Sequence, residues 1–377
     1  MFINNDYFIS LVMTSSFRSR KSKHFDSYLE KKCTFTIMSK NLLISTLFCV
    51  VLFFGKQTIN AQNEVYKKQD TALKQPPYLK AGDTVAIVAP SGILKNRTAE
   101  IERAKTLLKS WGLHAIVGKH VFNQGRHFAG TDDERCEDFQ NALDDPKISA
   151  IWCARGGYGA VRILDKLDYS KFKMNPKWII GYSDITALHN QVHTLGFQSI
   201  HAMMCTSLQD DTETIKETIS TFKDALFGMS LTYTLPASKY NKQGYVSAPI
   251  TGGNLTILHT MLGSKTSIDT SGKILFIEEI GEYKYHIDRM LQSLKRAGYF
   301  DNCKGLIIGD FTKIKRNTTP WGSSIEKLIL DVLEDYDFPI TFGMPSGHAK
   351  DNRALILGKT IDLSINNEQS TIIFNNQ

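Results

Sequence analysis

Between Tyr78 and about Phe227, short apolar runs alternate with stretches whose apolar residues recur at helical spacing. Thr84-Val85-Ala86-Ile87-Val88-Ala89 is nearly unbroken and is closed by Pro90-Ser91-Gly92, which predicts a strand and a turn. Over residues 98–111, Ile101, Ala104, Leu107 and Leu108 share one face of a helix. The same reading gives strands at 114–117, 148–153 and 178–181. It gives helices at 132–143, from Gly159 through Leu164, and at 184–195. Apolar strands alternating with amphipathic helices predict a parallel sheet covered on both faces.

The pattern loosens at residues 228–247, which are rich in Thr, Tyr, Ser and Lys and contain Pro236. A domain junction is expected there, between a first domain at 76–228 and a second at 246–377. In the second half, strands are predicted at 273–278, 305–309, 355–358 and 370–374, with helices at 286–296 and 323–334, an α+β arrangement.

Before residue 76 the chain reads as leader and linker. Met38-Ser39-Lys40 precedes an apolar run from Leu42 to Gly55, and a small residue, Ala61, follows in a polar stretch. This is the layout of a secretory signal peptide over about 38–61. The run is shorter than the roughly 20 apolar residues a membrane-spanning helix needs. Export, to the periplasm, is therefore expected, with no stable membrane insertion after processing and residues 1–37 as an upstream extension. A retained N-terminal anchor is the other reading. The net charge of +7 sits mostly in this region, where eight basic residues face three acids up to position 62. The remainder, with 37 basic and 35 acidic residues, carries no basic signature for nucleic acid. Cys136, Cys153, Cys205 and Cys303 are scattered without the paired spacing of a zinc site, and no metal or cofactor is expected.

The strongest local feature is Trp178-Ile179-Ile180-Gly181-Tyr182-Ser183-Asp184. A serine between a buried strand and a helix start meets free N–H groups and a favourable dipole, which suits an oxyanion. Read alone, the segment fits a helix-capping serine at least as well. Arg155-Gly156-Gly157-Tyr158-Gly159 ends the preceding strand, so the two loops can face one pocket beyond the carboxyl ends of the strands. It lacks the third glycine of a dinucleotide loop. In the second half, Ile277-Glu278-Glu279 ends a strand. Adjacent residues there point to opposite faces, so one carboxylate is expected in the site and the other in solvent; Glu282 is a further candidate. Gly343-Met344-Pro345-Ser346-Gly347-His348 is a turn-rich stretch ending in the side chain most used as a general base. His189 and His193 have ligand spacing on a helix but lack the glutamate of a zinc-protease motif.

Taken in order, Val88-Ala89-Pro90-Ser91-Gly92, Arg155-Gly156-Gly157-Tyr158-Gly159, Gly181-Tyr182-Ser183-Asp184, Gly252-Gly253-Asn254-Leu255, Ile277-Glu278-Glu279 and Gly347-His348 resemble the LD-carboxypeptidase family of serine peptidases, which includes muramoyl-tetrapeptide carboxypeptidases and microcin-immunity peptidases. The resemblance implies an α/β fold with an N-terminal Rossmann-like parallel-sheet domain and a C-terminal β-rich α/β domain. It implies Ser183 as nucleophile, His348 as base and Glu278 as its partner, with the amides of Gly157 and Asp184 as oxyanion hole. Arg155 and Asn254 are candidates for substrate contact. The implied substrate is a murein tetrapeptide losing its terminal D-alanine. A related peptidase acting on peptide–nucleotide antibiotics and a non-catalytic binder of murein peptides are the alternatives. A second copy of the chain, in a homodimer, is a candidate partner. Family members in cell-wall recycling are usually cytoplasmic, which the leader does not match.

Overall fold

Four of the first five strands are buried on both faces and demand cover above and below. A computed structural model of the chain describes residues 72–208 and 211–375; the expected leader lies outside the described residues. The first strands are β1 (Thr84–Val88), β2 (His114–Val117), β3 (Ile148–Cys153), β4 (Trp178–Gly181) and β5 (Ser199–His201). All pair in parallel, joined through the helices Thr98–Ser110, Asp132–Asp144, Ala160–Leu164 and Thr186–Thr194. The indole N–H groups of the buried Trp152 and Trp178 donate to the carbonyls of Met203 (2.8 Å) and Pro77 (2.9 Å), so neither ring carries an unpaired donor into the core.

The rest of the chain adds β6 (Thr232–Pro236), β7 (Gly244–Asn254), β8 (Ile274–Ile280), β9 (Gly305–Thr312), β10 (Ile340–Phe342), β11 (Leu355–Leu357), β12 (Thr360–Ile365) and β13 (Gln369–Phe374). The second sheet runs β10-β9-β8-β7-β12-β13-β6. β7 joins its two halves. Its first residues pair antiparallel with β12, and Ile250 to Asn254 pair parallel with β8.

Two expectations change. The segment 228–247 is not a loose junction: it holds β6 and the start of β7. β6 buries Tyr233 and Leu235 and exposes Thr232, Thr234 and Pro236, the period of a half-buried strand, and a proline is tolerated because β6 is the sheet's edge. The strand predicted at 355–358 does not join the second sheet. It is β11, and it returns to the first, which runs β11-β5-β4-β3-β1-β2, as an antiparallel neighbour of β5.

The two sheets meet where the helix Thr186–Thr194 lies against the end of β7. The Asn254 N–H donates to the Thr186 hydroxyl (3.0 Å), and His193 Nδ1 lies 3.2 Å from the Thr251 hydroxyl. Gly253, at φ +142°, permits this approach: a Cβ there would lie 2.5 Å from Thr186 Oγ1. Gly253→Ala is therefore expected to destabilise the fold by about 2 kcal/mol or more, measured by equilibrium denaturation; wild-type stability would contradict this packing.

Candidate active site

The turn after β4 is built around a strained serine. Tyr182 is extended, and Ser183 adopts φ +62°, a left-handed conformation uncommon for a side chain other than glycine, asparagine or aspartate. A single turn of 3₁₀-helix, Ser183–Ile185, then leads into the helix Thr186–Thr194. Gly181 makes room for this reversal, since a Cβ on it would sit 2.8 Å from Ile185 Cγ1. Left-handed serines held by their surroundings are a recurring feature of functional turns.

The loop after β3 packs directly on this turn. A Cβ on Gly156 would lie 3.3 Å from Ser183 Cβ and 3.5 Å from the Asp184 nitrogen. Gly157 follows at φ +103° and passes against Gly92 of the loop after β1. The three loops are laced by the buried Asp184 carboxylate. Its Oδ2 accepts from the Ser91 hydroxyl (2.5 Å) and from the Ala160 N–H (2.8 Å), the first amide of the helix Ala160–Leu164. Arg135 is buried beside them and donates to the carbonyls of Pro90 and Gly159 (the latter 2.9 Å) while pairing with Asp132. Burial lowers its pKa, opposed by Asp132. The Arg155 guanidinium donates to the Ile93 carbonyl, so at least one of its N–H groups holds the β1 loop.

The second sheet supplies the acid and the imidazole. Glu278 and Glu279 lie near the end of β8 beside an irregularity in its pairing with β9, where Ile277 opposes Ile308 but Glu279 opposes Phe311. Glu278 is fully buried, and its Oε2 lies 2.6 Å from His348 Nδ1. Gly347 permits that contact, because a Cβ on it would come within 3.0 Å of the same Oε2. Burial pulls the His348 pKa down, but the hydrogen bond and charge of Glu278, with Glu279 and Asp310 adding, outweigh it and hold the imidazole above its ordinary 6.5. The His348 ring meets that of Tyr182, the residue before Ser183, with centroids 5.0 Å apart.

Glu279 was expected in solvent, and the structure corrects this: it is 2% exposed. It takes the Thr256 N–H and hydroxyl (2.7 Å each) and the Ile280 N–H (2.8 Å), the first of these a donor that the start of the helix Leu255–Thr260 would otherwise leave unpaired. Asn254 is also engaged inside the protein. Its carbonyl oxygen caps the helix Leu255–Thr260 through the Ile257 N–H (3.2 Å), and its amide nitrogen lies 3.3 Å from Glu279. His189 and His193 serve separate partners, Gly181 O at 2.9 Å and Thr251 Oγ1 at 3.2 Å. Burial lowers the His189 pKa to about 4, so this ring is a neutral donor. Among the described residues, no group of three or more His, Cys, Asp or Glu side chains is placed to hold a metal ion.

The sequence matches the LD-carboxypeptidase N-terminal domain over residues 85–202 and the LD-carboxypeptidase C-terminal domain over residues 247–363. It is 34% identical over 292 residues to a probable murein peptide carboxypeptidase of Bacillus subtilis, covering 75% of this chain and 89% of that protein. The chain belongs to the LD-carboxypeptidase family. A murein tetrapeptide carboxypeptidase of Pseudomonas aeruginosa is 32% identical, over 75% of this chain and 93% of its own length. The crystal structure of a muramoyltetrapeptide carboxypeptidase from Oxalobacter formigenes superposes with a TM-score of 0.71 at 27% identity, covering 78% of this chain and 99% of that one.

Sequence reasoning passed over Arg135 and Ser91 as parts of this site. Arg135 sits in a helix whose apolar residues account for its periodicity, and only the fold shows that its charged end meets the loops after β1 and β3. Ser91 stands in a turn sequence whose local pattern gives no sign of its partner, 93 positions away.

The electrostatics of the dyad can be tested directly. Replacing Glu278 with Gln removes the main charge that opposes burial, so the His348 pKa should fall. Titration of the His348 ring by NMR measures this, and an unchanged midpoint in Glu278→Gln would contradict it.

Proposed function

We propose that the protein is a serine carboxypeptidase that removes the terminal D-alanine of murein tetrapeptides by hydrolysing the amide to the preceding L-centre. The observation that carries this reading is the 2.6 Å contact between His348 and the buried Glu278, on a ring packed against the residue preceding the left-handed Ser183. Substrate class is supported by the relatives named for murein peptides, at 34% and 32% identity.

In this reading His348 takes the Ser183 hydroxyl proton through Nε2 as the oxygen attacks the scissile carbonyl. Glu278 accepts from Nδ1, which fixes the tautomer and stabilises the imidazolium. The amides of Gly157 and Asp184 receive the oxyanion, each contributing about 3 kcal/mol to lowering the barrier. His348 then protonates the leaving D-alanine amine. Water, deprotonated by the same imidazole, attacks the acyl-enzyme, releasing the tripeptide and restoring Ser183. The raised pKa of His348 sets the acid limb of activity, because only the neutral imidazole can accept the proton. Arg155, already bound to Ile93, remains the candidate to receive the terminal carboxylate with another N–H of its planar fork.

We also propose that the chain works after export, on the strength of the charged start and apolar run at about 38–61. Among the described residues, no helix is long and apolar enough to cross a membrane.

Mass spectrometry of defined muropeptides incubated with the protein tests the activity, the bond and the substrate length together. Loss of one D-alanine from the tetrapeptide is expected, and Ser183→Ala should reduce its rate at least about a thousandfold with an unchanged circular dichroism spectrum. Turnover retained in Ser183→Ala would refute the nucleophile. Cleavage confined to a peptide–nucleotide substrate would replace the substrate class.

A further inference from the structure

Asp310 lies on β9 beside Glu278, at the irregularity where β8 and β9 lose register. Its backbone N–H donates to the Ser346 carbonyl (3.0 Å), and its Oδ2 accepts from the Ala349 N–H (3.1 Å). One residue thus grips the chain two positions before His348 and one position after it. Between those grips, Gly347 passes so close that a Cβ on it would lie 3.0 Å from Asp310 Cβ. Glu278 holds the His348 ring, and Asp310 holds the backbone that carries it.

We propose that Asp310 is a positioning residue for the proposed reaction, clamping the 346–349 turn so that the His348 ring stays aimed at Ser183. This deepens the serine-peptidase reading and rests on it. A backbone clamp matters here because an error of about 1 Å in a catalytic group can cost about a hundredfold in rate. A neutral residue can keep the hydrogen bond to Ala349, but the Asp310 charge does a second thing. The groups around His348 are Glu278 and Glu279 from β8, Asp310 from β9, Tyr182 from the turn after β4, and His201 from β5. Asp310 itself faces Glu278, His348 and Asp351. Its carboxylate is therefore one of the negative charges that hold the imidazole pKa up. Burial, opposed by the Ala349 N–H and reinforced by Glu278, raises the pKa of Asp310 itself to about 6.

The test compares Asp310→Ala and Asp310→Asn with wild type. The readouts are kcat and KM on murein tetrapeptide, and the pH dependence of Ser183 labelling by a fluorophosphonate, with thermal denaturation to establish that each variant folds. Asp310→Ala should lower kcat about tenfold with KM changed less than about twofold. Asp310→Asn can still accept from Ala349, so it should keep more of kcat, while its acid limb moves to lower pH because a negative charge beside the imidazole has gone. A folded Asp310→Ala with wild-type kcat would overturn the proposal, as would a folded Asp310→Asn whose labelling profile does not move. If Asp310→Ala does not fold, the Asp310→Asn profile decides. Labelling does not depend on the natural substrate. An unlabelled wild-type protein would therefore sink the serine-peptidase reading itself, whereas a labelled wild type with indifferent variants sinks only the role of Asp310.

Discussion

Everything at this site depends on β11 returning to the first sheet. Three residues, Leu355–Leu357, leave the second half of the chain and pair with β5, and β5 pairs with β4. In that register Leu355 lies opposite His201, and His201 opposite Gly181, two residues before Ser183. Two strand spacings amount to about 10 Å, so the segment before β11 is anchored within side-chain reach of the serine turn. The loop carrying His348 is closed at its base, where the Arg353 N–H donates to the Pro345 carbonyl (2.7 Å) and Asn352 Oδ1 accepts from the Gly347 N–H (3.0 Å). It is tied to the helix Lys216–Phe227 by the Thr218 hydroxyl, which accepts from the Asn352 N–H (2.8 Å), and to β6 by the Tyr233 hydroxyl, which donates to the Ala354 carbonyl (2.5 Å). The loop carrying His348 and the turn carrying Ser183, 165 positions apart in sequence, are anchored on the same sheet, and the His348 ring packs on Tyr182 at 5.0 Å between centroids.

The site concentrates groups that would be costly elsewhere. An unpaired buried charge is strongly destabilising, yet Glu278, Glu279, Asp184 and Arg135 are all buried. Each has partners from a different part of the chain: Glu278 has His348, Glu279 has Thr256, Asp184 has Ser91 and Ala160, and Arg135 has the carbonyls of Pro90 and Gly159. The left-handed serine adds roughly 1–3 kcal/mol of backbone strain. The chain beside it approaches closely at two glycine positions. A side chain at Gly156 would meet the Ser183 Cβ, and one at Gly181 would meet Ile185.

Much of this was legible in the sequence where local pattern and chemistry coincide. Buried strands β1, β3 and β4 were visible as largely apolar runs, and the quoted motifs lie at the turn after β4 (Ser183), near the end of β8 (Glu278) and in the loop before β11 (His348). The parts that were not legible depend on partners far away in sequence. β6 alternates Thr with Tyr and Leu and reads as loop until β13 pairs with it. β11, only three residues long, gives no sign of which sheet it will join. Strand alternation sent Glu279 to solvent. The helix Leu255–Thr260 overrides that by offering it the Thr256 N–H and hydroxyl. Asp310 carried no signal at all, since an acid near a strand end is ordinarily a surface residue.

The account stands or falls on a continuous hydrogen-bonded line from hydroxyl to imidazole to buried carboxylate. A crystal structure of the protein with a phosphonate bonded to Ser183 measures that line with the oxyanion in place. The account predicts His348 Nε2 within about 3.2 Å of Ser183 Oγ, with the phosphonyl oxygen between the amides of Gly157 and Asp184. An imidazole still joined to Glu278 but separated from Ser183 by another side chain would contradict it.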